Sequence, residues 1–219
     1  MKPINHHLSD DILMAYSAAT LPEAFNLMVA SHVSLCDECR ARLESFDAVG
    51  GAVLEDARTA PVALSEDALA ATMALIASGD IDIGKAEAPP RKGGVLPGPL
   101  QDYVGGDLSA VKWRSVGMGV KQAILPTSKD ASARLLLIPA GAAMPDHGHN
   151  GIEMTMVLQG AFIDDGVYFA RGDVEIADSD LDHTPVADIG EDCICLAVTD
   201  GPLQFKALLP RIAQPFLRI

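Results

Sequence analysis

The residues best equipped for chemistry are few, and they fall into groups. The chain of 219 residues holds six His and four Cys. Three of them stand at 32, 36 and 39 in "SHVSLCDECRAR", in the pattern H-x3-C-x2-C. His32 and Cys36 are four apart and share a face on a helix. Cys39 follows within the next turn, so all three can converge on one ion. Zinc takes four ligands in a tetrahedron, and two Cys with two His is a common structural set. His6 and His7, near the N-terminus, can supply the fourth. Adjacent helical residues point about 100° apart, so only one of the pair is expected to reach the ion. The competing reading is a buried His beside two small apolar thiols.

The remaining His, at 147, 149 and 183, belong to a second group. "GAAMPDHGHNGIEMTMVLQG" has the spacing G-x5-H-x-H-x3-E-x6-G. On a strand His147 and His149 point the same way. Glu153 follows a Gly-containing turn and leads a strand on which Thr155 and Val157 share its face. This spacing resembles the first metal motif of the cupin family, small antiparallel β-barrels with a metal in the mouth. The second cupin motif matches less of "GVYFARGDVEIADSDLDHTPV": Gly166, Gly172 and His183 are present, Ala170 stands where a Pro is usual, and no Asn follows. The resulting candidate site is His147, His149, Glu153 and His183, and these ligand types leave Zn, Fe, Ni and Cu open. Cys193 and Cys195 in "DCICLAV" share a strand face. They read as core packing, with a redox or soft-metal role as the other possibility.

Those side chains need elements to hold them. Ser9 suits the N-cap of a first helix and Pro22 the start of a second. A third starts near Asp37 and is expected to stop at Gly50–Gly51. "SEDALAATMALIASG" predicts a fourth, capped by Ser65 and ended by Gly79, with Leu69, Met73 and Ile76 at helical spacing. Residues 80–99 are rich in Pro and Gly and read as a linker. Beyond it come short segments rich in β-branched residues, such as "SARLLLIP" and "CICLAVTD", separated by turn signals. The expected fold class is therefore α plus all-β in two domains. A helical zinc-binding head spans 1–80, a linker 81–99, and a cupin β-barrel or jelly roll 100–219.

Composition narrows the function. Hydrophobic residues make up 49% of the chain, enough for a sizeable core. The formal net charge is −14, shared evenly by residues 1–97 and 98–219. Direct binding to nucleic acid is disfavoured, because phosphate contacts need clustered Lys and Arg. An acidic chain suits a basic protein partner better. No apolar run follows "MKPINHHLSDD", so no signal peptide is expected, and no run reaches membrane-span length. The expected compartment is the cytoplasm, where thiols stay reduced.

Taken in order, "HHLSDDILMAY", "EAFNLMVASHVSLCDECRAR", "FDAVGG", "PDHGHNGIEMTMVLQGAF", "EIADSDLDHTPVA" and "DCICLAVTD" resemble the ChrR-type anti-sigma factors across residues 4–219. The resemblance implies that the head wraps an extracytoplasmic-function (ECF) sigma factor, one to one, and blocks its contact with core RNA polymerase. It implies one zinc on His7, His32, Cys36 and Cys39, and a second in the cupin on His147, His149, Glu153 and His183. It implies that the head alone inhibits, while the cupin is needed for release under oxidative stress such as singlet oxygen. The alternative is a cupin metalloenzyme, dioxygenase-like, with the head as a regulatory appendage. "PDHGHNGIE" has no cation of the kind a substrate-binding set would need.

Overall fold

The computed structural model describes residues 3–56, 64–79, 93–178 and 183–205. Five α-helices lie among them: α1 (Asp10–Ser17), α2 (Glu23–Val33), α3 (Asp37–Glu55), α4 (Ala68–Ser78) and α5 (Gly98–Val104). Ser9 caps α1, its side chain accepting from the Ile12 N–H at 3.4 Å, and Asp10 and Asp11 complement the helix dipole. Pro22 sits at the N-cap of α2, which buries Ala24, Phe25, Leu27, Met28, Val29, Ser31 and His32. That helix is the centre of the head.

Two sequence expectations fail here for local reasons. α3 runs through Gly50 and Gly51 to Glu55. An interior glycine costs a helix only about 1 kcal/mol, which weakens it without ending it. α4 starts after Asp67 with no side-chain cap, so Ser65 does not serve as one, although Gly79 does end it in the left-handed conformation at φ 67°. α4 buries none of its residues; Leu69, Met73, Leu75 and Ile76 all face water. The far half of α3 is similar, with Val49, Val53 and Leu54 exposed.

The strands are β1 (Arg114–Gly117), β2 (Val120–Leu125), β3 (Ser132–Ile138), β4 (His147–His149), β5 (Glu153–Gln159), β6 (Ala161–Asp164), β7 (Val167–Ala170), β8 (Val174–Ala177), β9 (Val186–Ala187), β10 (Cys193–Thr199) and β11 (Leu203–Phe205). The main sheet has the order β1-β2-β3-β10-β5-β8, and every pairing in it is antiparallel. A second sheet, β7-β6-β9, and the pair β11-β4 complete the barrel.

Register sorts the main sheet into two unlike faces. Arg134, Ala197, Thr155 and Glu175 are cross-strand neighbours, and so are Ser132, Thr199, Glu153 and Ala177. These residues, with Cys193, Cys195 and Val157, line the inside of the barrel. Ala133, Leu135, Leu196, Val198, Met154, Met156 and Val174 line the outside. The outer face packs with Leu13, Phe25 and Met28 of the head and with Leu96 and Leu100 in one continuous core. Fully burying one such Leu, Met or Phe side chain contributes about 1.5–3 kcal/mol. The cluster inside the barrel is smaller and includes Val157, Phe162, Phe169, Cys193 and Cys195.

The head therefore sits on the barrel's outer sheet, joined to it by one continuous core. Residues 95–99, counted into the linker from their Pro and Gly, are packed. The Asp107 carboxylate accepts from the Val95 and Leu96 N–H groups at 3.1 and 2.8 Å, and Leu96 and Leu100 are fully buried. Residues 80–92 lie outside the described residues. Glu23, in the first turn of α2, adds a polar tie: it accepts from the Tyr103 hydroxyl at 2.6 Å and from the Ser128 N–H at 2.6 Å. No helix among the described residues is long and apolar enough to cross a membrane.

Candidate metal centres

Four of the sequence candidates meet in the head. Ligand atoms of His7, His32, Cys36 and Cys39 all lie within 4.8 Å of one another. His7 Nδ1 is 3.3 Å from Cys36 Sγ and 3.6 Å from Cys39 Sγ. A tetrahedral zinc with bonds of about 2.3 Å to sulfur and 2.0 Å to nitrogen puts N and S about 3.5 Å apart. Local structure explains the convergence. His32 lies in the last turn of α2 and Cys36 is the N-cap of α3, so the Cys39 N–H donates to Cys36 Sγ at 3.4 Å. Both thiols then stand at the N-terminus of α3.

Side-chain direction separates His6 from His7, which spacing alone does not. The His6 ring packs on Phe169 with centroids 4.4 Å apart, and His7 turns to the thiols. His7 Nε2 lies 3.5 Å from the Glu38 carboxylate, which orients the ring from its far side.

His32 provides the sharpest test of fit. It is fully buried, and its Nδ1 donates to the Gly172 carbonyl at 3.0 Å. Its Nε2 is also buried and has no hydrogen-bond partner among the described residues. Burial pulls the imidazole pKa down to about 4, so the ring is neutral and Nε2 carries a lone pair aimed into the cluster. A buried polar atom left alone costs about 1–3 kcal/mol, and an ion would satisfy it. Burial pushes the Cys39 thiol up to about 11, opposed by a backbone hydrogen bond at Leu8 and by the Arg42 guanidinium, whose Nη1 is 3.8 Å from Cys39 Sγ. Without an ion this thiol keeps its proton. The donor set fits zinc: two thiolates and two neutral imidazoles balance a divalent charge and fill a closed tetrahedron.

The barrel gathers a different set. His147 and His183 form an antiparallel bridge with reciprocal N–H donation at 3.2 and 3.1 Å, and their rings lie 4.7 Å apart. His147 Nδ1 bonds the Pro145 carbonyl at 2.8 Å. His183 Nδ1 bonds Asp164 Oδ2 at 2.8 Å and lies 3.9 Å from Glu175 Oε2. Glu153, at the start of β5, accepts from the Thr155 hydroxyl at 3.3 Å. The backbone of His149 pairs with Leu203 across β4 and β11; its side chain lies outside the described residues.

The surroundings are more acidic than the sequence suggested. Asp164, Glu175 and His183 present ligand atoms within 4.8 Å of one another, and all three are buried. Neither carboxylate was among the candidates. Asp164 comes from the second sheet and Glu175 from β8 opposite Thr155, so only strand register brings them in. Burial, and then the Asp164 charge, push Glu175 up to about 8. Burial also raises Glu153, against the pull of His183 and Arg134. Cys193 and Cys195 lie with their sulfurs 3.4 Å apart, and Cys195 is held well above its ordinary value by that contact and by burial. Both thiols are free and buried.

A cation is present after all. Arg134, on β3, is 7% exposed and donates to Gln122 Oε1 at 3.4 Å and Ser132 Oγ at 3.2 Å. It borders an open pocket of about 440 Å³ with Ile124, Ser132 and Thr199. It lies far before the His motif in sequence, so a search confined to "PDHGHNGIE" passes it by.

Comparison with known proteins agrees with both halves. A family model described as the ChrR cupin-like domain matches residues 101–204. The anti-sigma-E factor ChrR of Cereibacter sphaeroides is 57% identical over 216 residues, covering 99% of each chain. The crystal structure of Rhodobacter sphaeroides SigE in complex with the anti-sigma ChrR aligns with a TM-score of 0.76 at 56% identity, over 90% of this chain and 99% of that one. With near-complete coverage on both sides, this chain belongs to the ChrR family of anti-sigma factors.

Proposed function

We propose that this chain sequesters an ECF sigma factor through its helical head, residues 1–80, in a one-to-one complex. The observation that carries the reading is the full-length similarity to a ChrR that has been crystallised with SigE. The structure adds a physical reason. α4 holds Leu69, Met73, Leu75 and Ile76 in water, and the end of α3 holds Val49, Val53 and Leu54 there too. Helical surfaces of this kind lie into apolar grooves of a partner. The net charge of −14 favours a basic partner.

Zinc in the head, on His7, His32, Cys36 and Cys39, would cross-link the N-terminal segment to α2 and α3. A small bundle draws much of its folding free energy from such an ion. In the cupin, residues 100–219, a second ion, zinc by family likeness, would be held by His147, His149, Glu153 and His183. Asp164 would orient His183 from its far side. The cupin's role in this reading is release of sigma under oxidative stress such as singlet oxygen, inside the cytoplasm.

The experiment is co-expression with candidate ECF sigma factors. A one-to-one complex that blocks transcription by the reconstituted polymerase is expected, with about two zincs per chain, one for each four-ligand site. No complex with any candidate sigma factor would sink the reading.

A further inference from the structure

The head's four candidate ligands are not held by the head alone. The turn between β7 and β8 reaches across from the barrel, touching His32 directly and the backbone just before His7. The Gly172 carbonyl accepts from His32 Nδ1 at 3.0 Å, which leaves Nε2 as the nitrogen facing the cluster. Asp173 is 1% exposed, yet it belongs to no metal set. Its Oδ1 accepts from the Asn5 and His6 N–H groups at 2.6 and 2.9 Å, the two residues before His7. Its Oδ2 accepts from the Ala170 N–H at 2.8 Å and so closes its own turn. Val174 N–H then donates to the His6 carbonyl at 3.1 Å. The fit is tight: Gly172 has φ +93°, and a Cβ there would lie 2.6 Å from Ile4 Cδ1. The same strand continues to Glu175, 3.9 Å from His183 Nδ1 in the barrel cluster.

We propose that Gly172 and Asp173 are positioning residues for the head's metal, so that binding an ion in the head and docking the head on the barrel are one linked equilibrium. The inference rests on reading His7, His32, Cys36 and Cys39 as a metal site. Gly172 selects the tautomer of His32, and Asp173 fixes the backbone that aims His7. Groups that orient a ligand from behind typically govern metal affinity by about 10–100-fold. Linkage makes the effect reciprocal: whatever loosens the β7–β8 turn weakens the head's hold on its ion, and loss of the ion loosens the turn. Only Val174 separates the turn from Glu175, so a rearrangement in the barrel has a short covalent path to the head.

The test uses full-length protein loaded with cobalt(II). Cysteine thiolates on cobalt give a charge-transfer band, and loss of that band in C36S assigns it to the head. Affinity is read by competition with a chromophoric chelator. D173A is expected to bind about 10–100-fold more weakly at that site. D173N keeps an oxygen for Asn5 and His6 and is expected to lie closer to wild type. A purely structural role would not produce that graded order at a single metal band. Should D173A fail to fold, wild type carries the test by hydrogen exchange: stripping the metal should deprotect the Val174 amide, on the barrel side. D173A with wild-type affinity, or Val174 protection unchanged by stripping, overturns the inference and leaves the metal site standing. A wild type with no charge-transfer band overturns the metal reading itself.

Discussion

The head and the barrel each gather histidines with a second ligand type, but they do so differently. In the head, three ligands fall within eight residues of chain, and one buried nitrogen, His32 Nε2, is left with nothing to bond among the described residues. The cluster is incomplete without an ion. In the barrel, carboxylates exceed what one ion needs, and they already engage neighbours: Asp164 holds His183, and Thr155 holds Glu153. Arg134 adds its charge beside Glu153. A closed neutral set suits a permanent cross-link. A crowded acidic set, in which burial and the Asp164 charge push Glu175 up to about 8, suits an adjustable site. Ligand types alone do not distinguish the two clusters; the partners each ligand already engages do.

The comparison breaks hardest at the head. C36S or C39S should abolish zinc retention and with it sigma binding, because small zinc domains unfold without metal. Metal analysis and a pull-down with sigma check this, and a variant that lost its head zinc but still bound sigma tightly would make the two centres equivalent. The next largest effect belongs to the barrel. D164N should weaken the barrel's ion by about 10–100-fold and leave the sigma complex intact. H147A should in addition abolish induction; induction surviving in H147A would remove the barrel ion from the sensing role. A third pair of measurements separates partner contacts from folding. L69D with I76D on α4 should weaken sigma binding by about 30-fold or more, as buried anchors of an interface do. Neither residue is buried in the free chain, so its melting temperature and zinc content should not change.

The smallest effect is electrostatic. The Tyr103 hydroxyl, and after it the Ser128 N–H, hold the Glu23 carboxyl below its ordinary value of 4.5. A carboxyl lowered in the folded state contributes stability that is complete above its unfolded value and fades as pH falls through the folded one. Stability of the wild type should therefore drop slightly in the window below pH 4.5, and E23Q should lack that component of the slope. Acid titration of both chains by circular dichroism reads the difference.

How much of this was legible in the sequence depended on range. His32, Cys36 and Cys39 are near neighbours, so helical spacing alone brings them together. The choice of His7 over His6 was not readable from spacing, because Phe169 and Asp173 decide it from the other end of the chain. Asp164 and Glu175 were hidden for the same reason: a strand shows which residues share a face, but only its register shows what lies opposite. The stop expected at Gly50–Gly51 treated a small cost as a barrier. The linker was read too long because Pro and Gly mark turns whether or not a distant carboxylate such as Asp107 pins them. The least legible feature was the largest: alternation along β3, β5 and β10 is weak, because both faces of the main sheet are covered.

That covered outer face has a practical consequence. A barrel severed from its head would present Leu135, Met154, Met156 and Leu196 to solvent as one strip across its widest sheet, and a severed head would bare Phe25 and Met28. Patches of that kind drive self-association. Dividing this protein at its Pro- and Gly-rich stretch would thus yield two sticky fragments, each unlike its counterpart in the whole. Single substitutions in the intact chain are the cleaner instrument for asking which half does what.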